Sequence, residues 1–198
     1  MPQLLLKDVP RVALIIETTR AYGRRILEGV AQYTRENGPW LIHAVPRGLH
    51  DPLQSWLADW KGDGIICRVE NPESAWILAE TGLPLVNLKA TSETCLGPAS
   101  VVNDHEAIGR MAAEHLLKRG FRHFAFLGVP GHGWSDLRWQ GFAAAAEAAG
   151  CRSEQYTWSN TDLTAWQDGD LDEDIDAIAR WLGGRKKPLG VMAADDFL

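Results

Sequence analysis

The sequence predicts an α/β protein with two parallel sheets, each covered by helices. Short apolar runs, typical of strands buried on both faces, alternate with segments whose apolar residues recur at helical spacing. Strand, helix and strand in this order form parallel sheets through right-handed crossovers. Roughly five strands precede Gly120 and three follow it, which is too many alternations for one compact unit. We therefore expect two Rossmann-like lobes, residues 1–120 and 121–198.

The first lobe opens with a continuous apolar run at residues 12–16, as expected for a covered strand. Thr18 or Thr19 can cap the helix that follows, and Gly38 with Pro39 ends that helix. Further strands are predicted at residues 40–45, 63–67 and 84–88, with a short extended segment at 99–102.

Two shorter helices of this lobe are predicted from an acidic or amide residue followed by proline. Asp51 with Pro52, and Asn71 with Pro72, pair an N-cap with a first-turn proline. The second of these helices reaches Gly82.

The same alternation continues to the end of the chain. A helix at about 106–119 should bury four apolar residues, Ile108, Met111, Ala112 and Leu116. Strands are predicted at residues 123–128, 156–158 and 189–193, and helices at 138–149 and around 171–182.

Composition narrows the function classes. The net charge of −6 argues against an isolated nucleic-acid-binding module, which normally carries a basic stripe. The three cysteines, Cys67, Cys95 and Cys151, are far apart and odd in number, so a reducing cytoplasm fits better than a disulfide framework. The sequence shows neither a secretion signal nor an apolar stretch near the ~20 residues of a membrane span. We expect a soluble cytoplasmic protein that does not contact membranes.

A glycine-rich loop at residues 128–135 follows a strand and precedes a helix, where parallel-sheet proteins hold small ligands. Its spacing approaches that of a phosphate-binding loop, but Trp134 stands where that loop needs lysine. Either Trp134 stacks on a neutral ligand or the segment is an ordinary surface turn. His132 is the polar residue of interest here, and Arg138 could project over the strand ends and bind vicinal hydroxyls.

Acidic residues supply the other candidates. Asp195 and Asp196 follow an apolar strand and could hold Mg²⁺, accept hydrogen bonds from sugar hydroxyls, or cap a helix. For Asp104 we expect foremost the role of a helix N-cap, and after that the role of a hydrogen-bond acceptor for a ligand. Glu17 and Tyr22 lie in the loop region after the first strand, which is also a ligand-facing position. The six histidines lack ligand spacing, so we expect no metal. We also expect no cofactor and no catalytic residue.

Seven segments and their order resemble the effector-binding core of the lac-repressor family. The resemblance implies a periplasmic-binding-protein-like type I fold with two lobes that close around a small molecule. The matching segments are 102–104, 108–109, 112–117, 119–122, 126–128, 138–142 and 188–196, and the resemblance covers roughly residue 11 to the end.

The N-terminal half resembles the xylose-operon regulators within this group, at residues 17–24, 26–30 and 60–66. In those regulators the sensor comes first, and an AraC-type pair of helix-turn-helix motifs follows at the C-terminus. The resemblance implies that this sequence is a sensor fragment with a truncated second lobe and without the domain that binds operator DNA. It also implies a homodimer and a sugar effector, xylose or a related pentose.

The resemblance assigns roles residue by residue. Arg138 matches the effector-contacting arginine of the family, and Asp195 stands where a ligand-facing asparagine is frequent. Asp196 matches a structural aspartate, and Asp104 matches the acidic residue that opens the crossover helix. Two indoles are further candidate platforms for a sugar, Trp134 and Trp166.

Two other function classes stay open at this stage. One is a metal-dependent enzyme that processes sugars or phosphates with Asp195 and Asp196. The other is a transport-type sugar-binding protein, which would require a secretion signal.

Overall fold

A computed structural model describes residues 9–48, 51–53, 55–69, 72–89, 99–129, 131–158 and 172–195. The chain divides into two compact units, Met1–Val102 and Asn103–Leu198. This division precedes the helix His105–Lys118, whereas the sequence placed it after that helix, at Gly120. The helix belongs to the second unit because it packs against the helix Gly133–Ala148.

The first unit contains a four-stranded parallel sheet with the strand order β2-β1-β3-β4. Its strands are β1 (Arg11–Ile15), β2 (Leu41–Ala44), β3 (Gly64–Cys67) and β4 (Leu85–Asn87). Its helices are α1 (Ala21–Asn37), a 3₁₀ helix (Ser55–Asp59) and α2 (Pro72–Glu80). The extended segment expected at 99–102 forms one isolated parallel bridge, between Ser100 and Asn87 at the end of β4.

Alternate residues of β1 enter two different apolar clusters, as the two-residue period of a strand requires. Ala13 and Ile15 lie in one cluster, together with Leu78 of α2. Val12 and Leu14 lie in the other, against partly buried side chains of α1. The sheet of the first unit is therefore covered on both faces, which explains the continuous apolar run.

Gly38 ends α1 and Pro72 begins α2, as predicted, while the predicted cap Asn71 lies outside the described residues. The N-cap predictions for Thr18 or Thr19 and for Asp51 were wrong. Arg20 occupies the N-cap position of α1 and makes no side-chain capping bond. The Thr18 hydroxyl instead accepts a hydrogen bond from the backbone N–H of Arg47, at 3.3 Å. The Asp51 carboxylate accepts one from the backbone N–H of Gly48, at 2.6 Å, and the following helical segment is a short 3₁₀ turn. Both side chains hold loops together and do not start helices.

The second unit contains a three-stranded parallel sheet with the order β6-β5-β7. Two sheets are thus confirmed. The elements of the second unit are α3 (His105–Lys118), β5 (His123–Leu127), α4 (Gly133–Ala148), β6 (Arg152–Gln155), α5 (Asp172–Gly183) and β7 (Leu189–Ala193).

The two faces of this sheet also carry separate cores. Phe124 and Phe126 of β5 pack against Phe142 of α4. Leu127 packs on the other side with Tyr156 and Trp158. Residues 156–158 therefore supply core side chains and are not the strand that the sequence predicted. The strand is the polar segment just before them, β6, at an edge of the sheet.

Helices α3 and α4 approach each other closely at two glycines. A Cβ atom on Gly109 would lie 2.8 Å from the carbonyl carbon of Arg138, and one on Gly141 would lie 2.7 Å from that of Glu106. Real Cβ atoms essentially never come this close to other heavy atoms. The two helices therefore meet backbone to backbone at this crossing.

Two predictions about these helices need correction. Helix α4 begins at Gly133, five residues before the predicted start at 138, so Trp134 lies in its first turn. Met111 was expected in the core but is 65% exposed, since α3 turns Gly109 and Ala113 inward.

Within the described residues, no helix combines the length and the apolar character that crossing a bilayer requires.

Candidate functional site

The guanidinium of Arg138 occupies the carboxyl-end edge of the second sheet. Arg138 lies in α4, and its Nη1 donates a hydrogen bond to the carbonyl oxygen of Ala194, the residue after β7. Its Nε donates to Nδ1 of His105, the first residue of α3, at 3.3 Å. The structure thus brings Arg138 over the strand ends, where the sequence placed it.

The indole of Trp134 lies beneath this guanidinium. The Arg138 Cζ atom lies 4.9 Å from the centre of the Trp134 ring, within cation–π distance. The His132 and His105 rings lie 5.7 and 6.4 Å from it, centre to centre. Trp134 is half-buried, so it serves as a platform for a cation inside the protein as well as a partly open aromatic surface. Arg138, Trp134, His132 and His105 form what we call the Arg138 cluster.

Asp104 and Asp195 flank the Arg138 cluster. The Asp104 carboxylate accepts a hydrogen bond from the backbone N–H of Ala107, at 2.8 Å, which caps α3 as predicted. Asp195 follows Ala194 at the end of β7 and is half-buried. Asp104 therefore positions the first turn of α3, and with it His105.

The glycine-rich loop uses its own polar groups internally. The hydroxyl of Ser135, which is fully buried, accepts a hydrogen bond from the backbone N–H of Val129 at 2.8 Å. Trp158 Nε1 donates to the carbonyl oxygen of Gly128, at 2.7 Å. These bonds hold the loop against the sheet and fix the direction from which Trp134 leaves it.

A second group of polar side chains lies at the carboxyl ends of β1 and β3 in the first unit. Glu17 is 1% exposed, and its Oε1 pairs with Nη1 of Arg68 at 2.8 Å. The Arg68 guanidinium also lies 5.0 Å from the centre of the Tyr22 ring, which is half exposed. We call Glu17, Tyr22 and Arg68 the Glu17 cluster.

The Glu17 cluster depends on a close approach of α1 to the strand end. A Cβ atom on Gly23 would lie 2.9 Å from the carboxyl carbon of Glu17, so only glycine fits. The second carboxylate oxygen, Glu17 Oε2, is buried and has no hydrogen-bond partner in the part of the chain that the structure describes. Buried carboxylate oxygens are normally satisfied, so this oxygen can accept a hydrogen bond from a water or a ligand hydroxyl.

Arg47 and Cys67 border the Glu17 cluster. Arg47 is 8% exposed, and its Nη2 donates to the carbonyl oxygen of Asp51. Burial lowers the pKa of Arg47 from its ordinary value, and the charges of Asp51 and Glu17 oppose that change. Burial raises the pKa of the Cys67 thiol to about 12, against a smaller opposing effect of Arg47. Cys67 therefore stays a neutral thiol and fills the core.

The structure sorts the predicted residues into these two groups. Arg138, Trp134 and His132 lie together in the second unit, with Asp104 and Asp195 beside them, and Glu17 and Tyr22 lie together in the first. Trp166 and Asp196 lie outside the described residues.

Sequence reasoning missed three residues: His105, Arg68 and Arg47. Each follows a signal that was already in use. Arg68 comes directly after a predicted strand, as Glu17 does, Arg47 comes two residues after another predicted strand, and His105 follows the recognised cap Asp104. Applying the strand-end rule to every strand would have identified both arginines.

Comparison with known sequence families gives one match for each half of the chain. Residues 11–95 match the XylR N-terminal domain, and residues 113–198 match the periplasmic binding protein-like domain. Together with the two parallel sheets, these matches define the class: the chain has a periplasmic-binding-protein-like α/β fold, as the sequence predicted.

Individual relatives are more specific. The chain is 26% identical over 195 residues to the xylose operon regulatory protein of Escherichia coli K12, covering 94% of this chain and 47% of that protein. It thus spans about half the length of the curated relatives that it matches. The HTH-type transcriptional regulator GntR of the same organism is 27% identical over 157 residues, covering 75% of this chain and 47% of that regulator. The predicted resemblance to xylose-operon regulators is confirmed.

A solved structure agrees with this fold. The structure of the xylose-binding transcription activator XylR matches with a TM-score of 0.73 and 23% identity, covering 96% of this chain and 47% of that one.

Proposed function

We propose that this chain is the sugar-sensing, effector-binding part of a transcription regulator, with D-xylose or a related pentose as effector. The observation that carries the proposal is the Arg138 cluster at the carboxyl-end edge of the second sheet. Arg138 is also the position to which the family resemblance assigns effector contact. The relatives named above are transcription regulators, which supports a binding role for this chain over a catalytic one.

The chemistry of the two clusters favours a neutral polyol as the ligand. A guanidinium presents N–H donors in a rigid plane, which suits the vicinal hydroxyls of a sugar. An indole beside it suits the apolar face of a sugar ring. Arg68 is already neutralised by Glu17, so the first unit does not offer it as a free cation for a charged ligand. Glu17 Oε2 adds an acceptor for a hydroxyl group.

The regulatory step is an extension of this proposal. Closure of the lobes on the sugar would change the populations of two states, and the difference in affinity between those states would control an attached AraC-type DNA-binding segment. Operator DNA would be bound by that segment, by a homodimer in the cytoplasm.

Calorimetric titration with D-xylose, L-arabinose and D-ribose tests the proposal. We expect heat with at least one of these pentoses. Arg138→Ala should weaken that binding by about 2–4 kcal/mol, since a partly buried hydrogen-bonding charge is lost.

Arg122→Ala is the matched control. Arg122 lies in the same unit, is exposed, and donates only to nearby backbone carbonyls in the described structure. Its replacement should leave the affinity unchanged. If no pentose releases or absorbs heat, the sugar-sensing function is refuted, and if Arg138→Ala binds as tightly as wild type, Arg138 does not contact the ligand.

A further inference from the structure

We propose that His105 is a positioning residue: its unprotonated Nδ1 aims the guanidinium of Arg138, and protonation of His105 releases it. This inference rests on the proposed sugar-binding function for its consequence, but its geometry is independent of any ligand. It makes effector affinity fall when the pH is low enough to protonate His105.

At least three contacts hold the Arg138 side chain in its orientation. Nη1 is bonded to the Ala194 carbonyl, the guanidinium face lies over Trp134, and Nε is bonded to His105 Nδ1. The contact with Trp134 does not by itself fix the tilt of the guanidinium plane, because a cation–π contact is broad in angle. The bond to His105 lies on the Nε edge and restrains that tilt.

The helix crossing keeps His105 within reach of Arg138. Gly109 of α3 contacts the backbone of Arg138 itself, so α3 and α4 cannot slide apart without breaking a backbone contact. His105 lies one helical turn before Gly109, on the same helix. The Nε–Nδ1 distance is therefore set by the backbone.

The hydrogen bond dictates the protonation state of His105. The Nε of arginine is always a donor, so Nδ1 must accept, and the single ring proton of the neutral imidazole must be on Nε2. Protonation would put a proton on Nδ1 and a second positive charge beside the guanidinium. The other titratable groups that α3, α4 and β7 bring to this end of the second unit are Asp104, Glu106, His132, Asp136 and Asp195.

Two substitutions of His105 distinguish the loss of its hydrogen-bond acceptor from the loss of its side-chain volume. D-xylose is the probe, titrated at pH 8. His105→Leu should weaken binding roughly tenfold to hundredfold, the usual effect of losing a hydrogen bond to a charged group. His105→Asn keeps an acceptor at the position of Nδ1 and should restore affinity to within a few-fold of wild type.

His115 provides the matched control on the same helix. Arg119 Nε donates to His115 Nε2 at 2.8 Å, but this pair is exposed and four residues apart in sequence. His115→Leu should bind D-xylose as wild type does. A His105→Leu variant that binds as tightly as His115→Leu would overturn the proposal.

The pH profile tests the switch. Wild-type affinity should fall several-fold between pH 8 and pH 5.5, whereas the affinity of His105→Asn should stay nearly constant, because asparagine does not titrate. His132 and the carboxylates are present in both proteins, so an equal fall in both would assign the effect to them and overturn the switch.

A ligand-free measurement keeps the two proposals distinguishable. The ring ¹⁵N shifts of His105, assigned by comparison with His105→Asn, should report a proton on Nε2 and none on Nδ1 at pH 8. A proton on Nδ1 would overturn the positioning role whether or not D-xylose binds. Failure of D-xylose to bind, with the expected ring shifts, would refute the pentose function and leave the positioning geometry supported.

Discussion

Replacement of Gly109 by alanine should push α3 and α4 apart at the point where their backbones touch. The added Cβ would lie 2.8 Å from both the carbonyl carbon of Arg138 and the backbone nitrogen of Phe142, and closer still to the Arg138 carbonyl oxygen. Each of these atoms belongs to the backbone of α4. The strain cannot be relieved by rotating a side chain, so the helices themselves must move.

The size of the effect follows from these distances. Ordinary van der Waals contact starts near 3.4 Å, so the Arg138 carbonyl carbon must retreat by roughly half an ångström and the carbonyl oxygen, which lies nearer, by more than that. Overpacking of a well-packed core costs about 1–3 kcal/mol. Alanine recovers about 0.5–1 kcal/mol of helix propensity relative to glycine. The displacement of the carbonyl oxygen puts the overpacking cost near its upper end, so we expect Gly109→Ala to lower the free energy of unfolding by about 2–2.5 kcal/mol, from the balance of these two terms.

Urea unfolding followed by circular dichroism measures this change. Gly29→Ala is the control, because Gly29 lies in α1, is exposed, and has no atom within 4 Å of an added Cβ. That substitution should raise the free energy of unfolding by about 0.5–1 kcal/mol, since only the propensity term acts. The two substitutions are therefore expected to change the free energy of unfolding in opposite directions.

A Gly109→Ala protein that gains stability as Gly29→Ala does would refute the close crossing of α3 and α4. It would also remove the argument that the backbone holds His105 within reach of Arg138.

Two further predictions concern buried groups of the first unit. Glu17→Gln should lower the free energy of unfolding by about 2–4 kcal/mol in the same urea assay, because it leaves the partly buried Arg68 without its counter-charge. The control Glu28→Gln, on the exposed face of α1, should change the free energy of unfolding by less than about 0.5 kcal/mol. Equal effects of the two substitutions would show that the ion pair does not stabilise the fold. Cys67 should stay unmodified by iodoacetamide at pH 8.5, because burial holds the pKa of Cys67 near 12 and thiolate is the reactive form. Cys151, which is half-buried, should react under the same conditions. Peptide mass mapping that finds Cys67 alkylated in the native protein would contradict this prediction.

Much of the fold was predictable because most of its elements bury apolar side chains. The strand at 189–193 was predicted with its exact bounds, and the cap Asp104 located the start of α3. Strand β6 was missed because it is a polar edge strand, in which the ladder to β5 determines the structure and no apolar pattern marks it. Tyr156 and Trp158 carried the apolar signal, but it came from core packing beyond the strand.

The sequence predicted where the residues of the candidate site lie along the sheet, but not which of them contact each other. Arg138 and Trp134 were identified from their place after a strand, which follows from the general geometry of parallel sheets. That the two stack on each other, and that His105 meets Arg138 from another helix, depends on the crossing of α3 with α4. Residues separated by 33 positions in sequence carry no local signal of such a contact.

The glycine crossing has a consequence for how this protein can diverge. Because α3 rests directly on the backbone of α4, the spacing of the two helices at this crossing is set by contact between their main chains. We expect Trp134 and His132 to be exchangeable without a shift of the main chain that carries Arg138. Under the proposed function, a few substitutions at the helix starts would change the effector while the arginine is inherited in an unchanged frame.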